Sequence, residues 1–301
     1  MSDLRSAGSA IDIPASTDVA DSRARRAWRL TVRQPLGALG AVVVVALIVA
    51  AVFAPQIAPY GAKDAHFAPY VAPGAEFPMG TDQLGRDMLS RIVWGARLSL
   101  YVGLVSVAFG VTFGGLWGVV TGYFGGPADT FSQRVIDVLM SLPPIILALS
   151  LMAALGQSVN NVILALTVLL IPTAARTLRS QTLAVKESAF VEAARASGCR
   201  EWRVILRHVA PNTLATYIVL VTVNIAYAIV VEASLSFLGL GAPPDEPSWG
   251  SMLTAGVQSL ETAPWMIFFP GIAISLTVFG LNLFGDAIRD LTDPRLRGGL
   301  G

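Results

Sequence analysis

The chain is poor in the residues that carry most enzymatic and metal chemistry. Its 301 residues include one cysteine, Cys199, and two histidines, His66 and His208. One thiol excludes an internal disulfide, and so few N and S ligands exclude a conventional four-ligand zinc site. Charge is scarce as well: Asp, Glu, Lys and Arg make up 14% of the chain and nearly cancel, leaving a formal net charge of +1. That balance excludes the basic footprint of a nucleic-acid binder. There is no G-x-x-x-x-G-K-[ST] segment, so the chain lacks a Walker A loop to hold the phosphates of ATP.

What the chain has is apolar mass. It is 54% hydrophobic with a mean hydropathy of +0.63, more than a water-soluble domain of this length carries. A helix rises about 1.5 Å per residue and must cross about 30 Å of hydrocarbon, so about 20 uncharged, mostly apolar residues make a span. Residues 36–53, 98–124, 212–231 and 263–285 each read as one. Residues 138–175 run without a charge and offer room for two, with Gly156, Gln157, Ser158, Asn160 and Asn161 supplying the turn. The expectation is an all-α membrane protein of six transmembrane helices. Its parts are a tail at 1–35, a first transmembrane helix within 36–58, an extracytoplasmic segment at 59–97, a membrane core at 98–290 containing a loop at 186–211, and a second tail at 291–301. The first apolar run follows about 35 polar residues and is longer than a signal-peptide core, so it reads as a retained anchor. Six spans put both termini on one side. The segments on that side hold 17 of the 21 Lys and Arg residues, which predicts cytoplasmic termini and a cytoplasmic 176–210 loop.

Inside the membrane part, Gly110, Gly114, Gly118 and Gly122, with Gly126 beyond them, recur every fourth residue. Small residues at this spacing let helix backbones approach closely in lipid. Each four-residue step advances 40° on a helix of 3.6 residues per turn, so the track is expected to wind across several neighbours. Pro143, Pro144 and Pro172 interrupt the third and fourth spans. Ionisable groups are absent from the span centres, with Asp137, Glu232 and Asp286 at predicted ends, which disfavours a carrier coupled to protons or sodium. Neither histidine lies in a span, which disfavours a membrane-embedded enzyme of the H-E-x-x-H kind.

Two polar segments stand out. Around Gly80 and Gly85, the residues Asp82, Arg86 and Asp87 can form a charge network at the outer face, read as a shape-fixing or docking element worth under about 1 kcal/mol per surface pair. In the loop KESAFVEAARASGCREWRVILRHVAP (186–211), Ser188 can cap a helix running to Ser197. Gly198 suits a left-handed stop, and 200–209 can form a second short helix before Pro211 opens the fifth span. The first helix is expected to expose Ala193 and Ala194 beside Glu192.

Glu192-Ala193-Ala194, three residues, Gly198, nine residues, and then the four positions 208–211 ending in Pro211 resemble the EAA motif of ABC importer permeases, which closes on I-x-L-P; His208 and Ala210 replace the usual Ile and Leu. Residues 79–103 (MGTDQLGRDMLSRIVWGARLSLYVG), 232–241 (EASLSFLGLG) with 247–253 (PSWGSML), and 269–297 (FPGIAISLTVFGLNLFGDAIRDLTDPRLR) narrow the resemblance to dipeptide and oligopeptide permeases of the DppC/OppC type. The resemblance implies a type I ABC importer permease fold in the bacterial plasma membrane, with Glu192, Ala193, Ala194, Gly198 and Pro211 coupling to a separate ATPase subunit. It also implies a second homologous permease of the DppB/OppB type, two cytoplasmic ABC ATPase domains and an extracytoplasmic substrate-binding protein. ATP and Mg would be bound by the ATPase subunits, with no cofactor on this chain. The cargo it implies is a dipeptide or oligopeptide, a nickel chelate or another small solute.

Overall fold

The computed structural model describes residues 35–292. The tails expected at 1–35 and 291–301 lie outside it except for their innermost residues. In chain order the helices are α1 (Pro35–Val52), α2 (Ala54–Ile57), α3 (Met88–Phe124), α4 (Gly126–Ser141), α5 (Pro144–Leu155), α6 (Val159–Lys186), α7 (Ala189–Ala196), α8 (Glu201–Phe237), α9 (Trp249–Gln258) and α10 (Trp265–Thr292). Among the described residues there is no strand, only an isolated bridge between Thr81 and Asp87.

Five helices, α1, α3, α6, α8 and α10, are long and apolar enough to cross a membrane. The sixth crossing is a broken one. The 12 residues of α5 cover about 18 Å, too little for the hydrocarbon core. It continues α4 across a bend of 88° at Leu142 and Pro143, where Pro143 and Pro144 cannot extend the preceding helix. The expected turn follows at Gly156 to Ser158, and the Ser158 side chain accepts from the Asn160 amide to start α6.

The centre of the bundle is the pair α3 and α6. Their apolar windows are 56% and 50% buried within the chain, against 22% for α1, α8 and α10, whose outer faces remain open to lipid or another subunit. The glycines explain the pairing. A Cβ on Gly110 would stand 2.7 Å from Leu170 Cβ, one on Gly114 would collide with the Ile171 carbonyl, one on Gly118 with the Ala175 carbonyl, and one on Gly122 would reach Arg179 Cγ at 3.0 Å. All four therefore face one partner, instead of winding across several, and Gly126 lies beyond the helix at the start of α4. Contacts rise together along both chains, so α3 and α6 run parallel. A four-residue seam, longer than the 3.6-residue turn, calls for right-handed wrapping of the pair.

The span expected at 98–124 starts ten residues earlier, at Met88, with Asp87 as its N-cap accepting from the Ser90 amide at 2.8 Å. The separate helix expected at 200–209 is instead the first turns of α8. Ile205–Val209 widen to a π-turn in which the Ala210 amide bonds the Ile205 carbonyl. This accommodates Pro211, which has no N–H to give, without ending the helix. At the end of the bundle opposite the 186–211 loop, the 10-residue α9 was not anticipated; it packs against α8 and α10 and donates from Trp249 Nε1 to the Ile92 carbonyl at 3.0 Å.

Candidate functional site

The loop between α6 and α8 forms a compact corner. Ser188 occupies the N-cap of α7, but its hydroxyl bonds the Val185 carbonyl at 2.6 Å and makes no side-chain cap. The other end closes as a Schellman motif. The Gly198 amide donates to the Arg195 carbonyl at 2.9 Å and the Cys199 amide to the Ala194 carbonyl at 3.2 Å, with Gly198 at φ 76. Only glycine adopts that φ without cost, although nothing lies within 4 Å of a Cβ placed there.

One expected surface residue is inside. Val191 and Ala194, three apart and on one helical face, are both buried against Val119, Tyr123, Leu178, Val204, Ile205 and Val209. Ala194 therefore anchors α7 while Glu192 and Ala193 face outward. Beside them Phe190, Trp202 and Leu206 expose large apolar side chains, which gives the outward face the character of a docking surface. Pro211 stands exposed within α8, just after the π-turn.

The corner is bonded to the end of α3. The Tyr123 hydroxyl donates to Glu201 and accepts from Arg195 Nε at 3.3 Å, while the Arg195 guanidinium lies 5.0 Å from the Tyr123 ring centroid. These partners hold the Arg195 guanidinium above its ordinary pKa, chiefly through the hydrogen bond to Tyr123. Lys186 Nζ reaches the Gly122 carbonyl at 3.1 Å. Further along, Arg179 forks onto Asp129 at 2.7 and 2.6 Å and ties α4 to α6.

At the opposite end, Asp82, Arg86 and Asp87 do not form a surface network. All three are buried, because the 59–87 segment folds over the start of α3. Asp82 accepts from the Leu84 and Arg86 amides at 2.8 and 2.9 Å and from Arg86 Nε at 2.7 Å, and Arg91 Nε stands 3.7 Å from it. The segment is held by tilted ring contacts of Phe67 with Tyr60 and Phe77 and by Trp265 Nε1 donating to the Thr81 carbonyl at 3.1 Å. Asp87 starts α3 as its N-cap.

Glu232, expected at a span end, is enclosed one to two turns before the end of α8. Its carboxylate accepts from Ser236, Ser248 and Ser99 at 2.9, 2.8 and 3.2 Å and so joins α8, the loop before α9, and α3. Sequence reasoning missed this knot, though its serines all lie within two of the three segments that carry the family resemblance, 79–103 and 232–241 with 247–253.

The sequence profile described as binding-protein-dependent transport system inner membrane component matches residues 114–298, and that of the N-terminal TM domain of oligopeptide transport permease C matches residues 22–77. The chain belongs to the binding-protein-dependent transport permease family. Among this permease's relatives, the dipeptide transport system permease protein DppC of Alkalihalophilus pseudofirmus is 37% identical over 274 residues, covering 91% of this chain and 90% of the relative. The glutathione transport system permease protein GsiD of Escherichia coli O1:K1 is 41% identical over 273 residues, covering 90% of each. A chain of the MetNI methionine ABC transporter, solved in an inward-facing conformation, superposes with a TM-score of 0.57 at 20% identity over 68% of this chain and 98% of that one, a likeness of fold. The permease is thus a multi-pass, non-enzymatic membrane subunit of an ABC importer, a type that works with a partner permease, ATPase subunits and a substrate-binding protein.

Proposed function

We propose that this permease forms half of the translocation pathway of an importer for short peptides. The observation that carries the reading is identity of 37–41% across nine-tenths of the chain to permeases named for a dipeptide and for glutathione, itself a short peptide. In this reading both termini and the α7 corner are cytoplasmic, as the Lys and Arg distribution supports. The partner permease is of the DppB/OppB type, and ATP and Mg bind to the separate ATPase subunits.

Glu192 and Ala193 present α7 to the ATPase subunit, Ala194 roots it in the permease, and Gly198 fixes the angle at which it projects. ATP-driven closure of the ATPases moves α7, and the bundle alternates between inward-open and outward-open states with different affinity for the cargo. The 59–87 segment, Glu232 and α9 form a stiff outer cap against which the substrate-binding protein docks.

The test is uptake of a labelled dipeptide, tetrapeptide and glutathione by cells lacking the gene, complemented with the wild-type chain. Restored uptake of at least one supports the reading. Unchanged uptake of all three on deletion overturns the peptide assignment and moves the search to nickel chelates.

A further inference from the structure

The coupling helix α7 is joined to α6 and α8 by chain connectivity and apolar packing, and the side chain of Arg195 bonds it in addition to the end of α3. Tyr123, 4% exposed, lies on the last turn of α3. Its hydroxyl serves Glu201 and Arg195 together, and Arg195 Nε also stands 3.9 Å from Glu201. Its ring packs edge-on with Phe124 at 5.3 Å, and Phe124 edge-on with Trp202 at 5.6 Å. One phenol therefore joins three elements: the coupling helix through Arg195, the base of α8 through Glu201, and α3 through its own backbone.

Beyond Phe124 the chain turns through Gly125 and Gly126 at φ 65 and 71, with no atom within 4 Å of either Cβ position. That joint is soft, so the stiff path from Tyr123 leads back into α3. From there the Gly110 to Gly122 seam carries displacement into α6 by backbone contact, where nothing yields before the helices move together. We propose that Tyr123, Arg195 and Glu201 form a clasp that delivers the stroke of the coupling helix to α3, so that α3 and α6 swing as one rigid pair. Tyr123 is a positioning residue in transport. The proposal rests on the importer reading.

The experiment is the complete importer in proteoliposomes, with transported cargo and ATP hydrolysis measured together. Tyr123→Phe keeps the ring, and with it the contacts to Arg195 and Phe124, and removes only the hydroxyl. Cargo moved per ATP should fall about tenfold, the equivalent of about 1.4 kcal/mol, while subunit assembly stays at the wild-type level and the thermal midpoint falls by no more than about 2–4 °C, as the loss of about 1 kcal/mol of hydrogen bonding allows. Glu201→Gln should fall similarly, and the double variant should be no worse than either alone, as expected of groups that act as one unit. An unchanged cargo-to-ATP ratio in Tyr123→Phe overturns the clasp. If the wild-type importer moves no peptide, the cargo reading has failed, and hydrogen exchange on the purified full-length chain decides the clasp. Faster exchange at the 189–196 amides in Tyr123→Phe supports it; identical exchange overturns it.

Discussion

A single methyl group placed on two glycines of this permease should have opposite effects. At Gly118 the new Cβ falls on the Ala175 carbonyl of α6. A comfortable carbon–oxygen contact is about 3.3 Å, so the two helices must part by about 1 Å. Overpacking of that kind costs about 1–3 kcal/mol, and it exceeds the gain of about 0.5–1 kcal/mol that Gly→Ala brings to a helix interior. Gly271, inside α10, has nothing within 4 Å of its Cβ position, so Gly271→Ala should collect that gain undiminished. The two variants should differ by about 2 kcal/mol. At roughly 2–4 °C per kcal/mol for a protein of this order of size, that is a separation of about 4–8 °C in thermal midpoint. The assay is thermal unfolding of each purified variant in the same detergent. If Gly118→Ala is as stable as Gly271→Ala, the α3–α6 seam is not a backbone contact and the rigid pair has no basis.

Three further outcomes follow from the side chains. Glu232→Leu should cost about 3 kcal/mol, roughly 1 for each serine hydroxyl that loses its acceptor, and a loss below about 1 kcal/mol in denaturant or thermal unfolding would remove the knot from the account. Ala194→Arg should prevent α7 from seating, seen as rapid proteolysis at 186–200, while Ala193→Arg leaves the chain intact and instead abolishes co-purification with the ATPase subunit; equal behaviour would contradict the assignment of faces. Lys63 joins Asp245 at 2.7 Å and Glu246 at 3.1 Å, which holds Asp245 below its ordinary pKa and Lys63 above its own. A depressed carboxylate contributes above its unfolded pKa and stops as pH falls through the depressed value; a raised amine contributes until pH climbs through the raised one. A distance probe between 61–64 and 243–247 should therefore be flat from about pH 4 to about pH 10 and lengthen only as pH falls through the depressed carboxylate value, climbs through the raised amine value, or in high salt. A change near pH 7 would refute the pairing.

The spans were legible because lipid admits only long apolar helices, so hydropathy alone placed α1 and α10 closely and the middle of α8. What the sequence hid was set by partners. The start of α3 carries Arg91 and Arg97, which read as a water-facing segment until the 59–87 fold supplies Asp82 to Arg91. The four-residue glycine spacing announces close packing without naming the neighbour, and only the α6 backbone turns a drifting track into a seam. Ala194 was misplaced because an EAA run says that two alanines are small, while the phase set by Val191 decides which one is buried. The π-turn at Ile205–Val209 leaves no compositional mark beyond Pro211, and Pro211 alone predicts a break as readily as an accommodated helix. Gly198 was read correctly, since a left-handed corner after a short helix has few alternatives.

The most direct test of the account is ATP-dependent peptide uptake by the assembled importer in sealed proteoliposomes, with and without an ionophore. The account predicts uptake that needs ATP and the substrate-binding protein, is indifferent to the ionophore, and is lost in a Gly198→Val variant that still inserts. Uptake that persists without ATP and collapses with the ionophore would contradict it and make this chain an ion-coupled carrier.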